Sequence, residues 1–247
     1  MVRPLSLLVL VLAACGPRPI STTPLVDPPP TPLPAAGIHL TAGEQMEWDV
    51  YWQGIQIGRA DLTVVAGEAH SRFSTTMLAK AFAKVRYHLI TTLDRGTPTA
   101  AREALTMDGA SSTVVSQIDG SRYAIEDGRQ LAVPGGTTLH TLHTALGSLR
   151  AWSSSRGEAS PAYLWFVLRG TLYRLDVERP TTDEARGHLA LKIHGVVRAI
   201  DRSVDPIDVT VWLSATTDRA PLRFVVLAEG ERISAELTET TAKLAGN

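Results

Sequence analysis

His140 and His143 stand three residues apart in a segment with helical periodicity, close enough in angle to approach one metal ion. Zinc requires at least a third protein ligand, and no Asp or Glu lies in the same predicted helix to complete a set. His188 and His194 are remote in sequence and would join them only through the tertiary fold. The pair therefore reads as two histidines flanking a leucine stripe, with no metal or other cofactor expected. Arg150 follows in the same segment, beside Leu139 and Leu146 at the edge of the apolar arc. An arginine there either snorkels to water or finds a carboxylate. One option is an internal ion pair with Glu47, Asp49 or Asp208. The other is a cation at the mouth of a pocket, set for an anionic head group.

Nucleophilic and phosphate chemistry have no sequence signature. There is no Gly-x-Ser-x-Gly elbow, no His-Glu-x-x-His and no phosphate-cradling glycine loop. Glu47 and Asp49 sit two apart on the polar face of a predicted strand, the ordinary place for solvated charge. What stands out is the supply of large aromatics on strands: Trp48, Trp52, Trp165, Phe166, Trp212 and Phe224. Most such residues form core. In a curved sheet closed by one helix, the same side chains, with Arg150, are candidates for lining a pocket for an apolar ligand.

The one cysteine, Cys15, follows a ten-residue apolar run, Leu5 to Ala14, behind Met1-Val2-Arg3. A membrane-spanning helix takes about 20 apolar residues, so this run has the length of a signal-peptide core instead. Leu12-Ala13-Ala14-Cys15 resembles the lipobox of bacterial lipoproteins, in which the cysteine becomes the first residue and carries lipid on its thiol and amine. The resemblance implies a lipoprotein signal peptide over residues 1–14 and a membrane anchor at Cys15. Two or more acyl chains hold stably, each buried methylene contributing about 0.8 kcal/mol. Gly16, rather than Asp, comes next, which by analogy with enteric bacteria places the chain at the outer membrane, facing the periplasm. With its only cysteine spent here, the body has no disulfide, thiol nucleophile or Cys-bound zinc at its disposal.

Residues 15–37 read as the lipidated cysteine and a proline-rich linker. Pro17, Pro19, Pro24, Pro28, Pro29, Pro30, Pro32 and Pro34 are eight of the chain's 15 prolines. Such a run favours polyproline II geometry, about 3.1 Å per residue, and suits a stalk. Residues 38–247 remain for one body, large enough to bury roughly 70% of its unfolded surface. Charges nearly cancel, 24 basic against 25 acidic. Without a like-charge block, nucleic acid is not an expected partner.

Period-two alternation dominates this body. Met46, Trp48, Val50 and Trp52 share one face of a strand, and the series continues through Ala60–Val64, Phe73–Met77, Val85–Leu93, Val114–Ile118 and Arg122–Glu126. One helix is predicted, over Thr137 to Trp152, with Leu139, Leu142, Leu146 and Leu149 in one arc and Thr137 or Thr138 as its cap. Tyr163–Leu168 is apolar on both faces, so central; Leu172–Val177 and Leu189–Ile193 follow. Ile207–Leu213, Leu222–Val226 and Ile233–Leu237 close the chain as a meander. The expected fold is mainly β: an antiparallel curved sheet, barrel or half-barrel, with one amphipathic helix packed on its concave face.

The two ends of the body are similar to a bacterial exported family, domain of unknown function 3108. Gly43-Glu44, Trp48 to Ile55, Ile57-Gly58 and Ala60-Asp61-Leu62 carry the likeness at the start. At the end it rests on Val211-Trp212-Leu213-Ser214, Asp218-Arg219, Pro221-Leu222-Arg223, and Gly230 through Ala235-Glu236-Leu237, with Leu149-Arg150 between. Family members often carry an Asp near the helix start, where this chain has Thr141 or its neighbours. The resemblance implies a periplasmic or outer-membrane protein on an antiparallel sheet, related in shape to the carriers that shuttle bacterial lipoproteins; it brings no catalytic residues. The expected function is that of a lipid-anchored envelope protein binding an apolar or amphipathic ligand, a lipoprotein or another envelope partner, rather than an enzyme. The alternative is an envelope hydrolase acting on glycan or ester, with His140, His143 and a carboxylate converging in a cleft.

Overall fold

The computed structural model describes residues 30–33, 39–77, 79–81, 83–125, 128–154, 161–200 and 204–240. Cys15, the leader and most of the proline-rich stretch lie outside them. The first half of the described chain gives β1 (Thr31–Pro32), β2 (Gln45–Trp52), β3 (Ile55–Val65), β4 (Glu68–Thr75), β5 (Val85–Asp94), β6 (Thr97–Met107), β7 (Ala110–Asp119), β8 (Arg122–Ile125) and β9 (Gln130–Ala132). The second half gives β10 (Leu139–His140), helix α1 (Leu142–Ser154), β11 (Ala162–Leu168), β12 (Thr171–Val177), β13 (Thr181–Ala185) and β14 (His188–Ala199). It ends with β15 (Ile207–Ser214), β16 (Pro221–Ala228) and β17 (Glu231–Thr240).

All seventeen strands belong to one sheet. Two antiparallel runs, β2 to β9 and β11 to β17, are joined by the antiparallel pairing of β17 with β2. β12 and β13 share β14, each taking part of its length. β1 and β10 lie parallel to β11, so the sheet takes in Thr31 and Pro32 from the proline-rich stretch, and Leu33 is buried. The sheet curls until its two ends meet. At the β11–β12 turn, Arg169 and Gly170 take positive φ (51° and 69°), the geometry of a tight two-residue hairpin. This turn docks on the opposite end of the sheet. The Arg169 backbone N–H donates to Glu103 Oε1 at 2.7 Å, and its Nη2 donates to Ser112 Oγ at 2.6 Å. Trp165, Val167 and Leu172 pack with Ile118, Tyr123 and Ile125 of β7 and β8. Side-chain contacts, with the Leu139 N–H donating to the Gly120 carbonyl at 3.0 Å, thus close the barrel-like shape, while the sheet itself stays open.

The inward residues of β5, β6, β11, β12, β14 and β15 surround α1, which contributes Ala145, Leu149 and Trp152 to the main core. Burying an aliphatic side chain of this size stabilises by about 1.5–3 kcal/mol, which offsets the cost of ordering a lone helix. β11 is apolar on both faces because both are covered. Leu164 and Phe166 meet the helix-side core, and Trp165 and Val167 meet β7 and β8. The helix begins later than the leucine periodicity predicts. Leu139 and His140 are extended and paired with Trp165 and Phe166 of β11, so Thr141 starts the helix rather than Thr137 or Thr138. The Thr144 N–H donates to Thr141 Oγ1 (3.4 Å) and the Thr141 N–H to Thr144 Oγ1 (2.9 Å), a reciprocal cap.

Candidate functional site: a groove backed by a buried ion pair

Arg150 faces inward from the last turns of α1, 3% exposed, and meets Glu44, 5% exposed, just before β2. Nη1 donates to Oε2 at 3.0 Å and Nη2 to Oε1 at 2.6 Å. Nε and Nη2 also donate to the Asp218 carbonyl, at 3.2 and 2.7 Å, in the β15–β16 turn. Its partner is therefore Glu44 and not Glu47, Asp49 or Asp208: alternation turns Glu47 and Asp49 outward, where Asp49 pairs with Arg59 at 3.3 Å. Asp208 lies beside His194, at 3.8 Å. The guanidinium is thus committed within the protein rather than presented to a head group.

Asp218 links this network to a half-open groove of about 700 Å³. Three pieces of chain form its walls: the β13–β14 turn with Arg186 and His188, the β15–β16 turn with Asp218, and the facing stretches of β16 and β17 with Leu222 and Leu237. Leu189, at the rim, is 63% exposed. The Asp218 carboxylate is held by the hydroxyls of Ser214, at 3.0 Å, and Thr216. Apolar walls with a few charged groups at the edge suit an amphipathic molecule.

The candidate aromatics are divided around the molecule. Trp48, Phe224 and Trp212 share one buried cluster with Leu222 and Leu237, behind the groove. Trp48 packs edge-on against Phe224 with ring centroids 5.9 Å apart, and its Nε1 donates to the Pro221 carbonyl at 3.0 Å. Trp212 Nε1 donates to Asp183 at 3.0 Å, and Arg223 and Lys192 stack over its ring. Trp165 and Phe166 belong to the far end of the sheet, Phe166 stacked on Tyr173 with ring centroids 5.3 Å apart. Trp52 donates to Glu231 at 2.9 Å across the β2–β17 pairing. Three of the six aromatics, with Arg150 through Asp218, thus gather at the groove. Of the other lining residues, Leu189 is legible in the sequence as a strand residue and His188 as a remote histidine, whereas Arg186 carries no sequence signal.

The histidines do not form a joint site. His140 sits on β10 rather than the helix, so the three-residue spacing does not place it beside His143. It is buried, and burial pushes its pKa down to about 4. His143 is clamped: Nε2 lies 2.7 Å from Ser71 Oγ, and Nδ1 lies 2.8 Å from Thr91 Oγ1. Thr91 donates onward to Thr141 at 2.9 Å, so Thr91 accepts the Nδ1 proton and Nε2 accepts from Ser71. That connectivity matches a nucleophile and its base. Burial, followed by the nearby His70 and His88, holds the His143 pKa down at about 3, too low for proton abstraction at neutral pH. No carboxylate bonds to either histidine among the described residues. Neither does any group of three His, Cys, Asp or Glu side chains there meet the needs of a metal ion.

No family model matches the chain, and no curated protein does. Solved structures do resemble it. A mycobacterial lipoprotein, LppX of Mycobacterium tuberculosis, aligns over 83% of this chain and 90% of its own at 11% identity, with a TM-score of 0.27. A DUF1089 family protein from Pseudomonas aeruginosa aligns over 83% and 95% at 11% identity, with a TM-score of 0.40. A β-barrel-like protein of domain of unknown function DUF1849 from Brucella abortus covers 80% of this chain and 96% of its own at 8% identity, with a TM-score of 0.55. This last likeness shows that the chain has a β-barrel-like fold.

Proposed function

We propose that this chain is a lipid-anchored cell-envelope protein of the kind the domain of unknown function 3108 resemblance implies. Acyl chains on Cys15 hold it at the outer membrane, facing the periplasm, and its body binds an amphipathic, acyl-bearing ligand in the groove over Leu222 and Leu237. The groove carries the reading. Its volume, about 700 Å³, is that of a small-molecule site, and an exposed leucine at its lip is what an acyl chain would cover. Arg186 and His188 stand at the rim for an acidic head group, the part that Arg150 cannot play once paired with Glu44.

Native mass spectrometry of the protein purified from cell envelopes tests the ligand. The expected spectrum shows one acyl amphiphile per chain, reduced in Leu189→Glu with no change in melting temperature. Wild-type protein free of lipid in repeated preparations would remove the ligand from the proposal. Metabolic labelling with an alkyne fatty acid tests the anchor separately, with incorporation expected in the wild type and none in Cys15→Ala.

A further inference from the structure

The outward face of the sheet is charged unevenly. On β12 to β17 four cations have carboxylate partners, and Arg232 on β17 is the exception among the described residues. Arg174 and Arg198 each lie 2.7 Å from Asp176, Arg223 lies 3.5 Å from Glu236, and Lys192 lies 3.8 Å from Asp183. On β4 to β6 the pattern fails. Arg72, Arg86 and Arg102 are all exposed, and none makes an ion pair or hydrogen bond among the described residues. Overall charge does not explain this, because acidic side chains outnumber basic ones, 25 to 24.

Strand register gathers the three arginines around His88. Arg72 lies opposite His88 across β4 and β5. Arg86 precedes His88 by two residues on one strand, and Arg102 lies opposite Ile90, two residues beyond it. At the spacings of a sheet this is a patch about 15 Å long. Glu68, 2.8 Å from His70, shares the face, and Asp61, opposite Arg72 on β3, and Glu47, opposite Asp61 on β2, flank it. Around His88 this leaves an excess of positive charge, and His88 responds to it. Burial and then the field of Arg72, with further pushes from His70 and Arg102, hold its pKa below the ordinary histidine value. Ile90, among the cations, and Val115, opposite Arg102, supply an apolar centre.

We infer that the outward face of β4 to β6 lies against a membrane surface bearing anionic lipid head groups, with Arg72, Arg86 and Arg102 making the contacts. Guanidinium groups pair with phosphate oxygens through two parallel hydrogen bonds, and a sheet face can set three of them on one plane. The patch stands apart from the groove and its occupant. An acyl tether would hold the chain at the surface, and the patch would set which face of the body turns toward it.

The test uses the full chain as cells make it, carrying Thr113→Cys, an exposed position on β7 beside the patch. A fluorophore is attached there, and quenching by spin-labelled head groups is read in two vesicle types. Quenching is expected with mixed phosphatidylglycerol and phosphatidylcholine and not with phosphatidylcholine alone. It should vanish at ~1 M salt, where the Debye length is about 3 Å. Each Arg→Gln change should weaken the contact about five-fold, and the triple variant about a hundred-fold. Equal quenching in both vesicles, or full quenching in the folded triple variant, would overturn the inference. So would displacement by inorganic phosphate beyond that of chloride at equal ionic strength, which would mark a site for a free anion. If Cys15 also takes the label, the anchor is missing, and the same comparison is read in Cys15→Ala.

Discussion

Arg150 and Glu44 form a two-pronged ion pair nearly sealed from water, with contacts of 3.0 and 2.6 Å. It ties the end of the helix to the start of β2, and through the Asp218 carbonyl to the β15–β16 turn. Desolvating two charges costs several kcal/mol per ion, and only their mutual attraction and extra hydrogen bonds recover it. Removing one partner therefore strands a buried charge. Arg150→Met or Glu44→Leu alone should each lower unfolding free energy by about 3–5 kcal/mol. The double variant should recover most of that loss, less the donors that the Asp218 carbonyl gives up. Urea denaturation of the four proteins in a double-mutant cycle measures the coupling.

Glu103 closes the other side of the molecule. Its carboxylate accepts from Tyr87 Oη at 2.5 Å and from the Arg169 N–H at 2.7 Å, fixing the β11–β12 turn against β6. Burial raises its pKa, despite the Tyr87 and Arg169 hydrogen bonds that lower it. A raised carboxyl pKa favours the fold fully below the unfolded value, and that advantage is lost as pH rises through the folded value. Glu103→Gln can still accept from Arg169, so its stability relative to wild type should improve from pH 4 toward neutrality. Tyr87→Phe removes a donor to a buried carboxylate and should cost about 1.5–3 kcal/mol. Hydrogen exchange at the Arg169 amide should quicken in Tyr87→Phe more than exchange in β15.

Much of this architecture could be read from alternation alone. Met46, Trp48 and Val50 are buried, and Glu47 and Asp49 face away, as period two requires. β6 escaped because its inward residues, Ala101, Glu103 and Leu105, include a buried carboxylate, and the strand contains alanines and Glu, poor strand formers. The leucine periodicity places the helix start too early because Leu139 fits both the helical arc and β10, and only pairing with Trp165 decides between them. Of the groove, Leu222 and Leu237 were visible as strand residues, and Glu44, Arg150 and Asp218 as fragments of a family likeness. Their convergence was not, because contacts separated by 106 residues leave no local trace.

Two buried histidines set the response to acid. His140 and His143 have pKa values of about 4 and about 3 in the fold against about 6.5 unfolded. Between those limits the unfolded chain binds more protons than the native one, so stability rises with pH and falls as pH drops below about 6.5. Each histidine should contribute up to about 1.4 kcal/mol of loss per pH unit. His143→Gln should flatten the dependence of the urea midpoint between pH 6 and 4, and His140→Leu should flatten it further. An unchanged slope in both variants would place the titrating groups elsewhere.

Gly195 marks the point where β14 changes neighbours. It lies opposite Val177, at the end of the pairing with β12, before β13 takes over from Lys192 back to His188. A Cβ there would stand 2.8 Å from the Asp176 carbonyl oxygen and 2.8 Å from Leu175 Cδ1. Leu175 can rotate, but the carbonyl belongs to a strand paired on both sides and cannot retreat without moving the ladder. Overpacking of this kind costs about 1–3 kcal/mol, so Gly195→Ala should lower the melting temperature by several degrees. The shift of β12 should also disturb Asp176, which holds Arg174 and Arg198 on the outward face. Adding Leu175→Ala relieves only the flexible contact. The double variant should therefore stay less stable than Leu175→Ala alone, and equal melting temperatures would show that the strand backbone yields.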